Sequence, residues 1–187
     1  MKKIIGFLFL TMLCAITLKA QSSGFTWGVK AGLNLSSAWG EETDGSLIKP
    51  GYYAGCFGEY RFSELFSVSP ELMFSSIGSA REEFDIKETV NYITLPVLAK
   101  FYLQDSFSLE VGPQFGYGVY MSIKGDGKVT KLTGDDYNKF DFGIAVGASY
   151  YYERLIISFR YIHGLTDVVK KGINKNYDFQ IGLGLKI

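Results

Sequence analysis

From Phe107 to Ile123 apolar and polar side chains alternate without a break. Phe107, Leu109, Val111, Pro113, Phe115, Tyr117, Val119, Met121 and Ile123 share one parity. Ser108, Glu110, Gly112, Gln114, Gly116, Gly118, Tyr120 and Ser122 share the other. Successive side chains point to opposite faces of a strand, so the pattern predicts one apolar face and one of glycine and polar groups. The run is far longer than the roughly five or six residues usual for a strand in a soluble sheet. Seven other segments repeat it: Phe25–Ser36, Tyr52–Phe62, Phe66–Ser76, Val90–Leu103, Phe140–Tyr152, Leu155–Leu165 and Tyr177–Ile187.

The connectors alternate in length. Short turns are expected at Ser63-Glu64, Gln104-Asp105 and Glu153-Arg154. Long polar connectors are expected over Ser37–Gly51, Gly78–Thr89, Lys124–Lys139 and Thr166–Asn176. Bacterial membrane barrels place short turns on the periplasmic side and long loops outside, with an even strand count. All seven connections obey that rule if the N-terminus is periplasmic. The fold class expected is therefore all-β: an eight-stranded antiparallel up-and-down transmembrane β-barrel of the outer-membrane type.

A soluble lipocalin-like barrel would turn its apolar face inward, so the direction of the faces needs a separate argument. The polar parity carries Gly28, Gly32, Gly55, Gly112, Gly116, Gly118, Gly143, Gly147, Gly182 and Gly184. Glycine weakens a water-facing strand, whereas the narrow interior of eight strands needs small residues between large ones. Trp27, Tyr52, Tyr60, Tyr117, Tyr150, Tyr161 and Tyr177 lie on the apolar parity, mostly near strand ends, as interfacial girdles require. The apolar face is expected to meet lipid.

Composition then narrows the setting. Lys2 and Lys3 precede an apolar run from Ile4 to Leu18, and Leu18-Lys19-Ala20 is a usable cleavage site. Residues 1–20 are expected to be a cleaved signal peptide and 21–187 the barrel domain, exported to a bacterial outer membrane. Net charge is zero, which offers no basic patch for nucleic acid. Cleavage would leave Cys56 alone, excluding an intrachain disulfide or a cysteine metal site.

The inward parity also carries charge. Glu59, Glu71, Glu110, Asp141 and Asp178 balance Lys30, Arg61, Lys100, Arg160 and Lys186. Buried charges are costly unless paired, so these ten residues are expected to form an interior ion-pair network that fills the barrel. Symmetry about the Asp105 turn opposes Lys100 to Glu110, with Glu71 as a second partner for the lysine.

Several stretches carry a family resemblance: Ala20-Gln21, WGVKAGLNLS from Trp27, the hairpin GYYAGCFGEYRF-SELFSVSPELMFSS, YITLPVLAKFYL, and the glycine-rich close. Across the mature chain they resemble the PorT-like outer-membrane β-barrel family of Bacteroidetes-type bacteria. The resemblance implies an outer-membrane barrel and is nearly silent on activity. The chain departs from the usual insertion signal, a terminal aromatic, by ending in Ile187. Pro70, Pro96 and Pro113 fall inside strands without an edge, so β-bulges are expected there.

Candidate chemistry is sparse. His163 is the single histidine and lies on the lipid-facing parity, with no Ser or Glu at strand spacing to complete a hydrolytic triad. Cys56 reads as a small apolar filler on the same face. The Lys124–Lys128 and Gly134–Asp136 stretches lack calcium-loop spacing and read as turns. No catalytic residue, cofactor or metal is expected.

The chain reads as a non-enzymatic monomer in contact with outer-membrane lipid and lipopolysaccharide, serving envelope integrity or recognition through its loops. The alternative is a narrow transporter or lipid-modifying barrel. Trp39, Leu47, Ile48, Phe84, Ile86, Val168, Val169 and Ile173 are apolar residues expected on long loops, which favours a protein or glycan partner there.

Overall fold

The computed structural model describes residues 24–39, 46–81, 86–125, 128–132, 139–167 and 175–187. In chain order the strands are β1 (Phe25–Trp39), β2 (Ser46–Arg61), β3 (Phe66–Arg81), β4 (Ile86–Gln104), β5 (Phe107–Gly125), β6 (Lys128–Leu132), β7 (Phe140–Tyr152), β8 (Leu155–Asp167) and β9 (Lys175–Lys186). Eight of them close a ring in the order β1-β2-β3-β4-β5-β7-β8-β9, every neighbour antiparallel. A closed ring has no unpaired edge, so every strand has two neighbours to satisfy its backbone groups.

Period-two alternation sets the two surfaces. Leu33 and Leu183 are each 64 % exposed, whereas Lys100 and Glu71 are 0 and 1 % exposed. Apolar residues thus face outward and polar ones are enclosed, the reverse of a soluble barrel. On the outer surface Tyr60, Phe62, Phe66 and Phe101 form a run of ring contacts at the short-turn end. Tyr117 with Phe140, and Tyr161 and Tyr177 with Phe179, do so at the other end. Two aromatic belts flank an aliphatic band.

The glycines make room inside for rings. A Cβ on Gly182 would lie 1.8 Å from the Tyr53 hydroxyl, and one on Gly28 would lie 2.7 Å from the Phe57 ring. The two aromatics from β2 therefore fill space that β1 and β9 leave free.

Three expectations are corrected. The long connectors are shorter than predicted, because strand pairing continues into them: β2 begins at Ser46, β3 reaches Arg81, β4 begins at Ile86, and β5 reaches Gly125. Trp39, Leu47, Ile48 and Ile86 consequently belong to strands rather than loops; Phe84, Val168, Val169 and Ile173 lie outside the described residues. Second, Lys124 to Lys139 is not one connector. β6 folds back on β5 with Gly125 opposite Lys128, and takes over above the point where β7 pairs with β5.

The third correction concerns proline. Pro70, Pro96 and Pro113 keep register with Val97, Gln114 and Ile144, without a bulge. Register shifts occur instead between Ile48 and Tyr52, which brackets Pro50, and between Asn91 and Tyr92, Tyr102 and Gln104, and His163 and Asp167. A strand can tolerate a missing N–H without changing its residue count, so proline alone does not force a bulge.

Candidate functional site

The inward residues of facing strands meet in the lumen. Arg160 on β8 donates through Nη1 to Glu71 Oε2 at 2.8 Å and through Nη2 to Glu71 Oε1 at 3.0 Å. Its Nε donates to Glu110 Oε1 on β5 at 3.0 Å. Lys30 on β1 donates to Glu71 Oε1 at 2.7 Å. Ser149 donates to Glu110 Oε2 at 3.2 Å. Two cations and two carboxylates are thus joined in one chain of hydrogen bonds, each residue at most 5 % exposed. A buried carboxylate is tolerated when its lone pairs are filled in this way.

A second group lies toward the short-turn end. Glu59 accepts from Lys100 at 2.9 Å and from Ser67 at 2.8 Å, and also from the Tyr102 hydroxyl. Tyr151 lies beside Tyr102, ring centroids 5.5 Å apart. The Phe57 ring stands between the groups, with the Lys30 and Lys100 ammoniums each 5.7 Å from its centroid.

Six of the ten inward charges, Lys30, Glu59, Glu71, Lys100, Glu110 and Arg160, therefore pair inside the barrel. The register opposes Lys100 to Glu110 as expected. Yet the lysine pairs with Glu59, and Glu110 and Glu71 are held by Arg160. The reason is geometric: residues paired on adjacent strands point the same way, while long side chains reach further across a narrow lumen.

The other four take different partners among the described residues. Arg61 sits at the rim, 4.1 Å from the Tyr102 ring centroid, and pairs with exposed Asp105 at 3.3 Å. Lys186 lies 4.4 Å from the Tyr151 ring centroid. Asp141 accepts from Thr166 at 2.7 Å, and Asp178 accepts from Gln180 at 3.0 Å. Sequence reading missed the hydroxyls of Ser67, Tyr102 and Ser149, although their inward parity beside charged residues was available as a signal.

On the outer surface Cys56 is exposed to the apolar surroundings. His163 is half-buried there, its Nδ1 3.2 Å from the Tyr161 hydroxyl. Among the described residues no three His, Cys, Asp or Glu side chains gather as metal ligands. The Gly134–Asp136 stretch lies outside the described residues.

The profile of the family described as "Outer membrane protein beta-barrel domain" matches residues 19–170. Among curated proteins none matches the sequence. Neisserial surface protein A superposes with a TM-score of 0.59 at 14% identity, covering 88% of this chain and 100% of that one. Ail, the attachment invasion locus protein of Yersinia pestis, does so at 0.55 and 13% identity, covering 89% and 100%. Ail in complex with the heparin analogue sucrose octasulfate gives 0.53 at 12% identity, covering 88% and 99%.

Proposed function

The chain belongs to the outer membrane protein beta-barrel domain family and is an outer-membrane protein, and from that premise we propose a non-enzymatic barrel with a charge-plugged interior that presents a recognition surface at its loop end. The observation that carries this reading is the Arg160–Glu71 pair. Around the ring β3 and β8 are four strands apart in either direction, so the guanidinium bridges the full width of the lumen. A pathway for solutes would have to break that contact and leave buried charges unpaired.

The loop end has the better claim to function. β4 and β5 each run 19 residues, against about 9–11 needed to cross a bilayer. The excess lifts the β5–β6 hairpin away from the apolar band. A structural relative of the same fold was crystallised with a heparin analogue, which makes a sulfated glycan a suitable first ligand to try. Contact with outer-membrane lipid and lipopolysaccharide follows from the apolar outer band. Cleavage after Ala20, monomeric state and placement in the PorT-like branch form part of the same proposal.

The test is reconstitution of the whole protein in planar bilayers and in liposomes. The expected result is no steady conductance, with retention of the liposomes on heparin beads that is lost when Lys124, Lys128 and Lys131 of the β5–β6 hairpin are replaced by Gln. A steady open pore would overturn the plug and bring the transporter reading forward.

A further inference from the structure

The lumen beyond the Arg160 bridge, toward the loop end, contains a cavity of about 20 Å³ with a largely apolar wall. Ile77, Ile162 and Tyr92 line it. Gly164 does so too and is paired with Gly143, so that stretch of wall carries no side chain. Against these stand two carboxylates, Asp141 and Asp178. Asp178 is 5 % exposed, and its Oδ1 has no hydrogen-bond partner. Its other oxygen accepts from Gln180, and Asp141 accepts from Thr166.

The charge balance of the lumen explains why this cavity differs from the rest. Below it, Lys30 and Arg160 are matched by Glu71 and Glu110, and Lys100 by Glu59. No ion pair to Asp141 or Asp178 is made by any described residue. The two carboxylates differ in what they need. Asp141 is half-buried at the second residue of β7, near the loop end, and water reaches it. Asp178 is enclosed, and an unpaired buried carboxylate is expensive. Its orphan oxygen is a vacant acceptor facing a space with no cation.

We infer that this chamber receives the ammonium head of a primary alkylamine, which donates to Asp178 Oδ1 while its first methylenes lie against Ile77 and Ile162. Size sets the head group: about 20 Å³ is room for one water-sized group. A quaternary ammonium or a guanidinium is too large. Charge sets the sign, because a water molecule would fit the volume but bring nothing to offset the carboxylate. Apolar walls around a few placed polar groups are the usual build of a small-molecule site, and here they suit an alkyl stem. Asp141, nearer the loop end, draws the cation in. A free alkylamine and the side chain of a peptide lysine carry the same head. The site is independent of the recognition surface proposed above, since it lies inside the barrel, and it needs no open pore, since it lies above the Arg160 bridge.

The experiment uses the full chain folded in lipopolysaccharide-free micelles in phosphate buffer, titrated with n-butylammonium chloride by calorimetry and by urea unfolding. One butylammonium per chain is expected to bind saturably. At a free concentration about one hundred times Kd, the folded-to-unfolded ratio should rise about a hundredfold. D178N should weaken binding about tenfold or more, as loss of a charged hydrogen-bond partner does, while keeping heat-modifiable migration. D141N should weaken it about threefold, as for a partly exposed charge, and the turn variant E153Q should bind as wild type does. Without amine, D178N should be more resistant to urea than wild type, because its buried charge is gone. N-acetyl-lysine amide, run beside butylammonium, distinguishes the sources: tighter binding of the lysine assigns a peptide, tighter binding of butylammonium a free amine. Should D178N fail to fold, D141N and the size selectivity of the wild type carry the test. Absence of saturable binding of either amine, unchanged binding in both D178N and D141N, or an equal response to tetramethylammonium or K⁺ at matched ionic strength would overturn the site.

Discussion

Arg160 and Glu71 stand on opposite sides of the barrel, and the guanidinium engages both oxygens of the carboxylate at 2.8 and 3.0 Å. The same guanidinium also holds Glu110 through Nε at 3.0 Å. One cation thus ties β8 to β3 and to β5 across the interior.

That sharing makes the two sides of the bridge unequal. Arg160→Met leaves Glu110 with Ser149, while Glu71 keeps Lys30. The loss should be on the order of 3–5 kcal/mol, the range for orphaning a buried charge. Glu110→Gln should cost less, since Arg160 retains Glu71. The double variant should be more stable than Arg160→Met alone, measured by urea unfolding in micelles. Strict additivity would refute a shared guanidinium.

The position of Lys100 separates register from pairing. It is opposed in the ladder to Glu110 but bonded to Glu59 at 2.9 Å. A double-mutant cycle of Lys100→Met with Glu59→Gln should report coupling of about 1–3 kcal/mol. The matching cycle with Glu110→Gln should report less than half of that. The reverse ranking would show that cross-strand neighbours pair, and that the contact with Glu59 is wrong.

Val111 and Gly112 probe the two surfaces one residue apart. Val111 is 40 % exposed on the apolar band, so Val111→Arg should cost roughly 2–4 kcal/mol near the membrane centre. A Cβ on Gly112 would lie 2.0 Å from the Val97 carbonyl oxygen. Gly112→Leu should therefore block the heat-modifiable folded form rather than merely shift its unfolding midpoint. Tolerance of both changes would reverse inside and outside.

Glu153 occupies the left-handed region with φ of 53° in the two-residue turn between β7 and β8. Its Cβ makes that conformation unfavourable, and glycine relieves it. Glu153→Gly should raise stability by ~0.5–1 kcal/mol without altering the folded migration. A lower urea midpoint would place the cost elsewhere.

The eight strands of the ring, their order and the identity of the enclosed face were legible in the alternation, whereas β6 and the extension of strand pairing into the connectors were not. Period two is a local property, and Phe25 to Leu35 or Phe107 to Val119 display it without reference to any other part of the chain. The ten inward charges could be named for the same reason. Their partners could not: Arg160 and Glu71 are 89 residues apart in sequence, and only closure of the ring brings β8 opposite β3. Local symmetry about the Asp105 turn placed Lys100 against Glu110 correctly in the ladder. It had no bearing on where the Lys100 ammonium would reach, because that depends on the width of the lumen and on the Phe57 ring within it. The same holds for the chamber at Asp141 and Asp178. Parity put both carboxylates inside, but that neither makes an ion pair with a described residue is set by barrel shear and side-chain packing, which exist only once all eight strands have closed.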